Sequence, residues 1–346
     1  MSAEVPTTMA ASVLREVGVI ELEERPVPTP APDEVLIQVG SVGVCGSDVH
    51  YYEHGRIGPY VVESPIVLGH EAGGTIVAVG GDVPSSRIGE RVAIEPQRPC
   101  RVCRFCRSGR YNLCPKMEFY ATPPIDGAFC EYVTIQADFA FAVPDHVSDD
   151  AAGLVEPLSV GIAAAEKAGF RPGQSMLIAG AGPIGIITAQ VARVYGASEV
   201  IVVDPDDYRR GLAEKFGATH TYAPGDPAFD DVEADVFVDA SGATPAILAG
   251  LERVRAGGHV ILVGSADEIP LPVPTVAMRE VNVTGTFRYT DTWPKGIQMV
   301  ASGAVELDPL VTEVYGLEQV EDALTGKATP ASLKRIVRPG VRRIDR

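Results

Sequence analysis

The segment Gly180-Ala181-Gly182-Pro183-Ile184-Gly185 restricts the fold of this 346-residue chain more than any other. It follows the apolar run Met176-Leu177-Ile178-Ala179, which reads as a buried strand, and opens 183–195, which reads as a helix. In a chain with 36 glycines a G-x-G-x-x-G run is weak by itself. Between a strand and a helix it has a mechanism. The small residues let the backbone approach a pyrophosphate, and the helix N-terminus offers N–H groups and the positive end of its dipole. Asp204 ends the next strand, Val200-Ile201-Val202-Val203, where a carboxylate can accept from ribose hydroxyls. A tight strand-to-helix turn without a ligand is the weaker reading in this context. Asp204, with Asp206 and Asp207 nearby, would repel a 2′-phosphate, which favours NAD over NADP. Arg209 and Arg210 run the other way, although an arginine here can equally pack over the adenine.

The same alternation continues. A helix is expected over 208–216, strands at Asp235-Val236-Phe237-Val238-Asp239, His259-Val260-Ile261-Leu262-Val263 and 282–287, and a helix over 245–254. Strands alternating with helices predict a doubly wound parallel sheet of the α/β class. Before Glu156-Pro157 the texture differs. Short β runs such as Val35-Leu36-Ile37-Gln38-Val39 and Glu131-Tyr132-Val133-Thr134-Ile135 lie between Gly and Pro clusters, as in an irregular β-rich domain. From about Asp291 the chain mixes helix and short strand again. The expected organisation is a Rossmann coenzyme domain at 158–289, inserted into a β-rich catalytic domain formed by 1–157 and 290–346.

Four of the six cysteines crowd together as Cys100-x2-Cys103-x2-Cys106-x7-Cys114, in a lobe expected at 97–115. Four thiolates at this spacing can close a tetrahedral shell around a structural Zn²⁺ with no open position. An iron–sulfur cluster is the alternative ligand. Incidental free thiols are a poor reading, since exposed thiols would be open to oxidation. Arg98, Arg101, Arg104, Arg107 and Arg110 sit among them and offset the negative charge of the site. The net charge of −17 repels phosphate backbones, which argues against a nucleic-acid module.

A second constellation is spread out. Cys45-Gly46-Ser47-Asp48-Val49-His50 brings a thiol, a hydroxyl and an imidazole into about one helical turn, Gly69-His70-Glu71 follows, and Glu156 precedes the sheet domain. Thiolate, imidazole and carboxylate make a three-ligand set for a catalytic Zn²⁺ with an open position. Each residue alone has a bland structural reading, and spacing does not join them.

Gly69-His70-Glu71-x2-Gly74-x5-Gly80-x2-Val83 resembles the zinc signature of the medium-chain dehydrogenase/reductase superfamily, and the resemblance covers essentially the whole chain. The runs Cys45-Gly46-Ser47-Asp48-Val49-His50-Tyr51-Tyr52, Ala121-Thr122-Pro123-Pro124, Val155-Glu156-Pro157-Leu158 and Phe287-Arg288-Tyr289 are similar to those of its polyol (sorbitol or L-iditol) dehydrogenases. The resemblance implies a GroES-like catalytic domain around the Rossmann insertion. It implies catalytic zinc on Cys45 and His70 with Glu71 and Glu156 at the metal, and leaves open which carboxylate bonds it. Ser47, Tyr51, Ile57, Phe119, Thr122, Glu156, Arg288 and Tyr289 match substrate-pocket positions, with Ser47, His50 and Glu156 as the catalytic group. Gly180, Gly182, Pro183, Ile184, Gly185, Asp204, Arg209, Val263, Phe287 and Arg288 are the cofactor-binding set. Cys130 has no assigned role and is expected in the core.

The implied activity is zinc-dependent oxidation of a polyol such as sorbitol, xylitol or galactitol to the ketose, with hydride transfer to NAD⁺. The rivals are an L-threonine or simple-alcohol dehydrogenase of the same architecture and, remotely, a silent NAD- and zinc-binding protein. Resemblance also implies a homo-oligomer, commonly a tetramer. The N-terminus has no basic stretch before an apolar one, and the apolar run 176–187 is short and broken by glycines. No signal peptide, no membrane partner and a cytoplasmic location are therefore expected.

Overall fold

A computed structural model describes residues 5–264, 268–326, 329 and 331–344. The chain divides into two units, the first comprising Met1–Glu156, Trp293–Ala301 and Leu307–Arg346, the second Pro157–Thr292 and Ser302–Glu306.

In the first unit, a seven-stranded sheet runs in the order Ala140–Ala142, Arg91–Ile94, Glu71–Val79, Glu34–Gly43, Lys334–Arg338, Val311–Gly316, with Tyr132–Gln136 also paired to Glu34–Gly43. Neighbours are antiparallel except the last two strands. The C-terminal strand Lys334–Arg338 thus pairs Ile336 with Gly43, the residue that also faces Glu71 on the other side of the central strand. A three-stranded sheet of Val19–Pro26, Thr8–Glu16 and Ile66–Val67 lies beside it in the chain's own pairing. Its outer strand Val19–Pro26 carries four glutamate or arginine side chains, the charged dressing that protects a sheet edge. Val13, Ile37, Ile76, Phe129, Ile135 and Val337 are buried in one core joining both sheets.

The second unit is a six-stranded parallel sheet. Its strands, taken by chain position, lie in the order third, second, first, fourth, fifth, sixth: His220–Tyr222, Glu199–Val203, Ser175–Ala179, Ala234–Asp239, Val254–Leu262, Asn282–Gly285. That order reverses direction between the first and fourth strands, the place where a doubly wound sheet opens a ligand crevice. Ser175–Ala179 is buried at every position, as a strand covered on both faces must be. The helix Pro183–Val194 follows it, with Pro183 in the first turn where a missing N–H costs nothing. The helix expected over 245–254 runs Thr244–Glu252, and Val254 already begins the next strand. Ser302–Glu306 packs with this unit because Gln190 clamps Glu306, donating to its carbonyl at 3.1 Å and accepting from its N–H at 2.8 Å.

Two glycines close the first strand-to-helix turn. Gly180 has φ +98°, and a Cβ on Gly185 would overlap the Gly180 carbonyl oxygen. Among the described residues no helix is long and apolar enough to cross a membrane. Gly185→Ala should destabilise the protein by about 1–3 kcal/mol through this overlap, read as a lowered melting temperature. An unchanged melting temperature would show that the turn tolerates the extra carbon.

Candidate functional site

The metal-ligating candidates of the first unit are brought together by one buried carboxylate. Cys45 caps the N-terminus of the helix Gly46–His54. Asp48, inside that helix and fully buried, accepts from the Cys45 N–H and from the Gly69 N–H, both at 2.9 Å, and lies 3.7 Å from Nδ1 of His70. It therefore ties two segments that are separated in sequence and orients the imidazole, the role that carboxylates play behind metal-bound histidines. No sequence signal marked Asp48 as more than a helix residue.

Glu71 follows at the start of the strand Glu71–Val79 and is 1% exposed. Its Oε1 accepts from Nζ of Lys334 at 2.6 Å, and Lys334 also donates to the Val44 carbonyl at 3.0 Å. Its Oε2 is buried with no hydrogen-bond partner. A Cβ on Gly43, directly across the sheet, would overlap that oxygen, so the glycine is what leaves room for it. Sγ of Cys45, a ring nitrogen of His70 and a carboxylate oxygen of Glu71 all lie within 4.8 Å of one another. Soft, borderline and hard donors brought together at a largely buried place, on a carboxylate with one oxygen to spare, fit a Zn²⁺ ion.

The electrostatics agree. Burial opposes charge on His70, yet the Cys45 sulfur and the Asp48 carboxylate outweigh it and hold the imidazole well above its ordinary value. Lys334 behaves likewise: burial works against its charge, but Glu71, then Cys45 and Glu156, raise it above the usual lysine range. The pocket's field favours positive charge. Glu156, 5% exposed in the first turn of the helix Val155–Lys167, contributes to that field but stands outside the three-donor group.

Around these residues the helix Gly46–His54 places Ser47 half-buried, His50 exposed and Tyr51 buried. Phe119 packs its ring 5.6 Å from that of His70, and Ile57 and Thr122 are half-buried. Phe287, Arg288 and Tyr289 belong to the second unit. There the Arg288 guanidinium lies 4.6 Å over the Phe287 ring, Arg288 has φ +56°, and Tyr289 is buried.

In the lobe, the sulfurs of Cys100, Cys103, Cys106 and Cys114 also lie within 4.8 Å of one another, and no cysteine is disulfide-bonded. One tetrahedral ion with Zn–S bonds of about 2.3 Å holds its sulfurs about 3.8 Å apart. An iron–sulfur cluster, with several irons to enclose, spreads its thiolates wider, so the spacing fits a single zinc. N–H groups of Val102 and Cys103 lower Cys100 to about 6, while Cys106 is pushed up to about 12 by burial and by the Cys103 and Cys114 thiols beside it. Cys130 is buried elsewhere in the core, its thiol pushed up to about 12 by burial.

Of the cofactor candidates, Gly180 and Asp204 line a cavity in the second unit, and the others lie outside its lining. A cavity of about 410 Å³ runs from Gly180 and Asp204 past Pro205, Pro224 and Phe229 to Ser241. Asp204 Oδ2 accepts from the Ala181 N–H at 2.7 Å and Oδ1 from the Asp206 N–H at 2.9 Å, so the carboxylate braces the glycine turn. A carboxylate has about four acceptor positions, which leaves capacity for a ribose. The Arg209 guanidinium reaches to 3.6 Å from where a Cβ on Gly182 would stand. Val263 donates its N–H to the carbonyl of Asp239 at 3.0 Å. Asp239 itself, fully buried, accepts from the N–H groups of Ser241 and Gly242 and shapes the loop that closes the crevice.

Removing Lys334 leaves Glu71 without its cation. Lys334→Met should weaken zinc retention by the first site about 10–100-fold while the lobe zinc stays, and Lys334→Arg should retain part of it. Zinc content during chelator competition measures this; equal retention by Lys334→Met and the unaltered protein would contradict the role.

Residues 31–145 match the family model of the alcohol dehydrogenase GroES-like domain, and 183–302 that of the zinc-binding dehydrogenase domain. The chain is 45% identical over 334 residues to a sorbitol dehydrogenase of Bacillus subtilis, covering 94% of this chain and 95% of that one. It is 37% identical over 353 residues to a probable D-xylulose reductase A of Emericella nidulans, covering 97% and 98%. Among solved structures, L-idonate 5-dehydrogenase of Escherichia coli superposes with a TM-score of 0.90 at 28% identity, over 96% of this chain and 98% of that one. With its two donor sets, its braced glycine turn and these relatives, the chain belongs to the zinc-dependent medium-chain dehydrogenases/reductases, in their polyol dehydrogenase subfamily.

Proposed function

We propose that Glu156 accepts the hydroxyl proton when this enzyme oxidises a secondary alcohol of a polyol to the ketose with NAD⁺ as acceptor. The observation that carries the reading is the division between the two carboxylates: Glu71 lies inside the three-donor group with an unshared oxygen, and Glu156 lies outside it. Cys45, His70 and Glu71 would hold the zinc, which would supply Lewis acidity toward the substrate hydroxyl, and Gly180 to Gly185 with Asp204 would hold NAD, which would supply the hydride acceptor. That assigns Glu71 as the direct ligand and leaves Glu156 for the proton.

The remaining residues have separable tasks. Ser47 and His50 pass the proton outward, His50 being the exposed end of the relay. Ile57, Phe119 and Thr122 shape the pocket, and Ser47 and Tyr51 hydrogen-bond the remaining hydroxyls of the substrate. Buried polar groups of this kind reject a substrate lacking those hydroxyls, because they would be left unpaired. Asp204 would exclude a 2′-phosphate, and Arg209, Val263 and Phe287 would supply further contacts to the cofactor. Sorbitol, xylitol and related polyols fit this chemistry, and the relatives named for sorbitol and D-xylulose support the class. A homotetramer in the cytoplasm is part of the same reading.

Glu156→Gln should lower kcat by about two to four orders of magnitude while leaving NAD binding and zinc content in place. Near-normal turnover would remove Glu156 from the proton path. Asp204→Ala should raise the relative kcat/KM for NADP⁺, and unchanged selectivity would count against its role.

A further inference from the structure

The helix Gly46–His54 carries two histidines, neither of which belongs to the zinc set. His50 and His54 are spaced i, i+4, both are exposed, and their ring centroids lie 4.6 Å apart. Tyr51 and Tyr52, buried on the opposite side, fix which face of the helix the imidazoles present. The end of the helix is held by Gly55, in the left-handed conformation at φ +68°, whose N–H bonds the Tyr51 carbonyl at 2.9 Å. His54 therefore sits on an ordered last turn, where the helix dipole favours a cation. The Glu53 carboxylate lies 3.8 Å from Nε2 of His54 and adds negative potential. The nearby Arg56 guanidinium is turned to the Gly58 carbonyl at 3.0 Å.

We propose that His50 and His54 form a second, surface metal site that chelates one borderline divalent transition ion, with water completing its coordination. Two imidazoles one turn apart on one helix face present nitrogen donors to a common point, and nitrogen donors of this kind suit nickel, copper and zinc. The side chains are exposed, so the edge-to-face ring arrangement can rotate into a chelating one without disturbing the core. Magnesium and calcium, which demand oxygen ligands, are not expected to bind. One consequence rests on the proton-relay reading of His50: an ion held on its ring occupies the nitrogen that would pass the proton, and turnover slows.

The test is a calorimetric titration of the zinc-loaded protein with Ni²⁺ alone, compared with Mg²⁺. One additional Ni²⁺ per chain is expected, absent in His54→Gln and in His50→Gln, and absent with Mg²⁺. An unchanged Ni²⁺ isotherm in both variants would overturn the proposal, as would equal binding of Mg²⁺. Turnover is read in the unaltered protein and in His54→Gln, whose basal activity is expected to stay the same. Inhibition by Ni²⁺ that disappears in His54→Gln supports the site and the relay together. His54-dependent binding without inhibition supports the site while contradicting the relay.

Discussion

The ion pair between Glu71 and Lys334 is the interaction on which the catalytic half of the molecule depends. Both partners are nearly excluded from solvent, at 1% and 4% exposure, and they lie 263 residues apart in the chain. Burying either charge alone would cost several kcal/mol, which each partner offsets for the other. The pair obliges the chain, after completing the parallel sheet, to return and add Lys334–Arg338 beside the central strand Glu34–Gly43. It also explains the glycine at position 43, since any larger residue would meet the Glu71 carboxylate. One contact thus links the insertion topology, a strand register and the charge of a metal pocket.

Around that pair the site balances charges in a small volume. Cys45, Asp48, Glu71 and Glu156 are acidic or thiol groups gathered at one place, against a single buried ammonium and an imidazole pulled toward its protonated form. A divalent cation resolves this excess. The second unit uses the same device without a metal. Asp204 and Asp239, both buried, are stabilised by backbone N–H groups at the ends of the two strands that flank Ser175–Ala179, which preorganises the crevice for a dinucleotide. In both units, buried carboxylates hold the loops that carry function.

The parts of this arrangement that were legible in the sequence are the ones made of neighbouring residues. The glycine turn and the four-cysteine lobe announce themselves because their spacing is itself the geometry. Cys45, His70 and Glu71 come from two segments, and only the resemblance to a family joined them. Asp48 and Lys334 were silent for a physical reason. A buried acid on a short polar helix and a buried lysine in Lys334-Arg335-Ile336-Val337 look like solvated positions until their distant partners are placed beside them. The assignment of Ser302–Glu306 to the sheet unit was hidden likewise, since it depends on the clamp from Gln190.

The central claim, a zinc-held polyol site coupled to NAD, is tested most directly by following NADH formation from NAD⁺ by the purified protein. The substrates are sorbitol, xylitol, galactitol, L-threonine and ethanol, each with and without a zinc chelator. The account predicts chelator-sensitive turnover confined to the polyols. Turnover of threonine or ethanol alone would contradict the pocket assignments, and no turnover by protein with zinc and NAD bound would contradict the activity itself.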